Sequence, residues 1–153
     1  MIRYFLFSLL LMVSFTGNAH GDKPDTLHDD LSGNSTEPGH AVISFHHALK
    51  QQNQEKAKSL LAEDVVIFES GRIEKSAREY SSHHMLSDMK YLSKMKSELI
   101  FHQVSIQGDR AISMSVSNTK DDKGKSYKLM QTAALKIVND RWVIYHLHWS
   151  NDK

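Results

Sequence analysis

The sequence predicts an α+β domain, and three observations carry that prediction. Residues 40–95 show helical periodicity interrupted by one strand-like run, whereas residues 98–150 fall into extended runs separated by turn signals. The last run, 141–150, is largely apolar on both faces, as expected of a strand covered on both sides. The resulting order is helix, helix, strand, helix and then a four-stranded meander.

Each element has a local reason. Residues 40–51 place Val42, Phe45, His46 and Leu49 on one helical side. Asn53 can cap a second helix whose Ala57, Leu60 and Leu61 face inward. Val65, Val66, Ile67 and Phe68 form a strand broken at Ser70-Gly71. Ser76 and Glu79 make a capping box that opens a long helix to about Met95. Runs 98–107, 111–119 and 127–138 are strands, separated by Gly108-Asp109 and by the turn at 121–124. Asn139-Asp140 then turns the chain into the final strand.

That strand carries the first candidate site. Strand residues two apart share a face, so His146 and His148 are predicted to point the same way, with Trp142 and Ile144. Val143, Tyr145, Leu147 and Trp149 take the other face. On the long helix, at about 100° per residue, Tyr80, His84, Asp88, Tyr91, Leu92 and Met95 fall within one third of the circumference. His84 and Asp88 are therefore predicted to face the sheet, across one cavity from His146 and His148.

Four roles fit such a constellation. Asp88 can hold His84 in one tautomer within a satisfied polar pocket. The same groups, with Tyr80, can orient a small organic ligand. His84, Asp88, His146 and His148 can hold a divalent metal, zinc, copper or nickel by donor type. A His84–Asp88 dyad can perform acid–base chemistry, as in an isomerase, cyclase or hydrolase. Among secondary candidates, Glu69 shares the face of Val65 and Ile67, where a buried carboxylate needs a partner. His46 and His102 are predicted to be satisfied core histidines, and Gln131 or Thr132 can line the cavity from opposite faces of their strand. Met85, Met89 and Met95 serve packing.

Outside the domain, residues 1–19 have the pattern of a secretory signal: Arg3, twelve mostly apolar residues to Phe15, and Gly17 and Ala19 at the cleavage positions. Residues 20–39, with both prolines, are predicted to be a flexible polar leader, and residues 40–150 the folded domain. The mature protein is predicted to be exported, periplasmic or secreted, with no stable membrane association. Loss of Arg3 leaves Lys and Arg at 18 against 18 Asp and Glu, and this balance argues against nucleic acid as a partner. With no cysteine, disulfide and thiolate chemistry is excluded, while ten histidines make net charge sensitive to mildly acidic pH.

The element order, the stretch Val65-Val-Ile-Phe-Glu-Ser-Gly71, then Glu79-Tyr80 with His83-His84, and the ending Trp142, His146, His148, Ser150 resemble the nuclear transport factor 2-like (cystatin-like) superfamily. Within it, the chain is most similar to exported SnoaL-like proteins related to the association domain of calcium/calmodulin-dependent kinase. The resemblance covers about residues 40–150. It implies a cone-shaped, curved, mostly antiparallel sheet wrapped around a long helix, one deep pocket for a small-molecule ligand, and homodimerisation through the outer sheet face. It implies no particular reaction, because this fold hosts isomerases, cyclases, dehydratases and binding domains alike.

Overall fold

The computed structural model describes residues 31–151; the predicted signal at 1–19 and residues 20–30 of the predicted leader lie outside the described residues. A 3-10 turn at Ser32–Ser35 leads into α1 (Glu37–Lys50) and α2 (Gln54–Ser59). Strands β1 (Leu61–Glu69) and β2 (Arg72–Glu74) form a hairpin, followed by α3 (Ala77–Ser82) and α4 (His84–Leu92). The meander is β3 (Lys96–Gln107), β4 (Arg110–Lys120), β5 (Ser126–Val138) and β6 (Arg141–Asn151). These six strands form one curved, open sheet in the order β2-β1-β6-β5-β4-β3. Every neighbouring pair is antiparallel except β1–β6, so the predicted α+β, mostly antiparallel architecture is the one observed.

Packed structure begins earlier than the leader assignment places it. Thr36 caps α1 by accepting from the Gly39 N–H at 3.1 Å, and Gly33, Pro38 and Gly39 are all buried. A Cβ on Gly39 would stand 1.9 Å from the Gly33 carbonyl oxygen, so only glycine permits this close approach. Pro38 and Gly39 read as loop signals in the sequence, whereas here they occupy the first turn of α1.

The second correction concerns the long helix. It is two helices, broken at His83, whose φ of −126° and ψ of −81° lie outside the helical range. Side chains compete for the backbone there. The His83 Nδ1–H donates to the Glu79 carbonyl, and the Ser81 and Ser82 hydroxyls both donate to the Arg78 carbonyl. Among the described residues the longest helix is instead α1, which packs on β6, β3, β4 and α4. Its Phe45 and Leu49 are fully buried against Ile67, Leu135, Ile144 and Leu147 of the sheet, with Tyr80, Met85 and Met89 completing the core. Burial of each large side chain contributes about 1.5–3 kcal/mol.

Two turns follow the sequence closely. Ser70 and Gly71 have φ of +50° and +76°, and Asn139 and Asp140 +49° and +59°, the left-handed pairs that two-residue hairpins require. The last strand departs from strict alternation. Ala134 pairs with His146 and Leu135 with Ile144, so Tyr145 is an extra residue, a β-bulge. Ile144 and Leu147, three apart, thereby share the core face with Trp149.

Candidate functional site

One cross-sheet row supplies the floor of the site. The pairing aligns His102 with Ser115, Ser115 with Gln131, Gln131 with Trp149, and Trp149 with Glu69. All five border a cavity of about 830 Å³ between the sheet and the helices α1 and α4. Val42, Leu92, Leu99 and Leu129 add apolar wall, and Asp88 and Tyr91 of α4 face the same space. The volume falls in the range of roughly 300–1,000 Å³ common for small-molecule sites.

Carboxyl groups gather at the β1 end. The Tyr80 hydroxyl donates to Asp88 Oδ2 at 2.8 Å. Burial pushes the Asp88 carboxyl above the usual range, partly offset by that hydrogen bond. Burial together with the Asp88 charge pushes Glu69 up to about 7. Tyr80 itself is fully buried, and burial beside Asp88 keeps its hydroxyl protonated.

His84 does not pair with Asp88. Its ring joins the β1–β2 hairpin, with Nε2 2.7 Å from an Arg72 guanidinium nitrogen and Nδ1 against Glu74 Oε1. Because a guanidinium can only donate, Nε2 accepts and Nδ1 carries the proton toward Glu74. Glu74 is 5% exposed, and its second carboxyl oxygen has no partner. The hairpin register puts it opposite inward-facing Ile67, while Ile73 turns outward and is 55% exposed. Pairing by sequence spacing along one helix missed Glu74; the register set by Ser70-Gly71 is the signal that finds it.

His146 and His148 point away from this cluster, and the Tyr145 bulge is the reason. An odd residue inserted before them moves both imidazoles to the outer sheet face. There His146 Nδ1–H donates to the Val66 carbonyl at 2.9 Å, and both rings meet the edge of Phe68, at centroid distances of 5.0 and 6.1 Å. His148 is exposed, although it is among the residues that line the cavity. The four residues proposed as metal ligands therefore do not converge, and no group of three or more His, Asp or Glu among the described residues is arranged to hold a metal. Of the predicted ligand-binding set, Tyr80 and Asp88 are joined, His84 is a neighbour, and the strand histidines stand apart.

The secondary candidates gain weight. Gln131 Oε1 accepts from both the His46 Nε2–H and the Trp149 indole N–H, each at 2.5 Å. Burial holds the His46 pKa below the ordinary imidazole value, partly offset by this bond. His102 is buried as predicted, between Asn34 Oδ1 at 2.6 Å and Ser113 Oγ at 2.9 Å, and burial lowers its pKa too.

Fold and cavity define a class, and solved structures agree with it. A ketosteroid isomerase-like protein of Shewanella frigidimarina is 40% identical, with a TM-score of 0.74, over 77% of this chain and 98% of that one. An NTF2-like protein of Pseudomonas putida has a TM-score of 0.64 at 19% identity, over 72% of this chain and 81% of that one. An NTF2-like family dehydratase-like protein of Streptomyces avermitilis has a TM-score of 0.65 at 18% identity, over 76% and 95%. The chain belongs to the nuclear transport factor 2-like superfamily. No protein-family model and no curated protein matches it.

Proposed function

We propose that the cavity binds a small, largely apolar organic molecule with one polar group, and that Glu69 exchanges a proton with it. The observation that carries this is Glu69 on the cavity wall with its pKa raised to about 7. At neutral pH such a carboxyl is present in both forms, so it can take a proton from an acidic C–H and return it to a neighbouring atom. Burial, and then the charge of Asp88, itself fixed by Tyr80, hold Glu69 there. The ketosteroid isomerase-like and dehydratase-like names of the similar structures fit proton-transfer chemistry. The reaction class is thus an isomerisation or elimination next to a carbonyl. It runs through a carboxyl rather than the predicted His84–Asp88 dyad.

Binding is tested with ethylnaphthalene and acetylnaphthalene, flat molecules of suitable size, followed by tryptophan fluorescence. Saturable binding to wild type and to Glu69→Gln alike supports the cavity; a linear, non-saturating signal contradicts it.

We further propose that two copies associate through the outer sheet face. Phe68, Ile73, Ile112, Met114 and Met130 are exposed large apolar side chains there, about His146 and His148. Sedimentation of wild type as a dimer and of Met114→Glu as a monomer supports this. The signal pattern of residues 1–19 supports export, and processing before His20 is read by the N-terminal sequence of the protein recovered outside the cytoplasm.

A further inference from the structure

Gln131 is 7% exposed, and its amide nitrogen has no hydrogen-bond partner. Its orientation is fixed by chemistry. Indole nitrogen can only donate, so the atom receiving Trp149 Nε1–H must be the Gln131 oxygen. The same oxygen receives His46 Nε2–H, which occupies its second lone pair. Two amide N–H donors are therefore left buried and unpaired on a residue that borders the cavity. Buried donors without acceptors are rare, because their lost hydration goes uncompensated. Neither flanking ring can relieve this one by turning the amide over: reversal would set a donor against Trp149.

We propose that the Gln131 carboxamide is a binding subsite that donates to a neutral carbonyl oxygen of the ligand. This deepens the cavity function proposed above and rests on it. The register supports the geometry: Gln131 and Glu69 lie on the same inner row, on either side of Trp149, with two interstrand spacings, or about 10 Å, between their backbones. A flat molecule lying along this row presents its carbonyl to Gln131 and its acidic C–H toward Glu69. Charge favours a neutral acceptor over a carboxylate. Two carboxyl residues, Glu69 and Asp88, border the cavity against one lysine, Lys50, exposed at the last turn of α1, and burial lowers the pKa of His46 and His102.

The experiment compares acetylnaphthalene with ethylnaphthalene, which differs in lacking the carbonyl, on wild type and Gln131→Met. Wild type is expected to prefer the ketone by roughly tenfold, and the variant to bind both with similar affinity while keeping its affinity for ethylnaphthalene. An unchanged ketone preference in the variant overturns the Gln131 assignment and leaves the cavity function standing. Failure of both probes to bind wild type overturns the cavity function itself, and the subsite with it. Should Gln131→Met not fold, the side-chain amide signals of Gln131 in ¹⁵N-labelled wild type give the answer. They are expected to shift with acetylnaphthalene and not with ethylnaphthalene; identical responses overturn the proposal.

Discussion

The Tyr80 hydroxyl and Asp88 Oδ2 meet at 2.8 Å across the break between α3 and α4. This bond joins two helices that the backbone does not make continuous, and it orients the carboxyl whose charge raises the Glu69 pKa. A buried tyrosine thus acts on the cavity at second hand.

Replacing Tyr80 by Phe removes the donor and leaves the Asp88 carboxylate short of a partner. Denaturant unfolding at pH 8 should show a loss of about 1.5–3 kcal/mol. The hydrogen bond lowers the Asp88 pKa against the effect of burial, so its removal raises that pKa further. The gap between wild type and variant should therefore narrow as pH falls and Asp88 is protonated in both. A gap that stays constant with pH contradicts the Tyr80–Asp88 pairing.

Glu69→Gln mimics the protonated carboxyl. A carboxyl with a folded pKa of about 7 against an ordinary 4.5 favours folding most below its unfolded value, and that contribution is lost as pH rises to 7. The variant should be more stable than wild type at pH 8, by about 1 kcal/mol after allowance for solvent screening, and nearly equal at pH 4. Thermal unfolding at the two pH values checks this; a stabilisation present only at pH 4 has the wrong sign.

How far the sequence reveals this arrangement depends on what sets each contact. Local chemistry was legible: Asn53 and Ser76 cap helices by accepting from Lys56 and Glu79 backbone N–H groups, each at 3.0 Å, and the two hairpin turns fall where their residues place them. Tyr80 and Asp88 were also legible as neighbours on one helical arc, and the break at His83 leaves them within hydrogen-bond reach. His146 and His148 were not, since the bulge depends on Ala134 pairing with His146 and Leu135 with Ile144, twelve and nine residues further along the chain. Glu74 was hidden because the apolar Ile73 beside it looks like the inward residue, and only the register with β1 reverses the two.

Asn34 ties the N-terminal turn to the sheet through His102. A chain starting at His40, the sequence-predicted boundary, loses this bond, the Thr36 cap and the buried Gly33. It should unfold at least 2 kcal/mol more easily than one starting at Leu31, with roughly 1 kcal/mol from the cap and a similar amount from the hydrogen bond. Asn34→Ala in the longer chain should reproduce about half of that loss in denaturant unfolding. Equal stability of the two lengths contradicts the early start of the packed domain.

The most direct test of the proton-transfer site is exchange of the acetylnaphthalene methyl protons for solvent deuterium, followed by NMR across pH 5–9. The account predicts a rate above that of buffer that rises through an inflection near 7 and disappears in Glu69→Gln, while that variant still binds the ketone. A rate indistinguishable from buffer, or one that survives intact in Glu69→Gln, would contradict it.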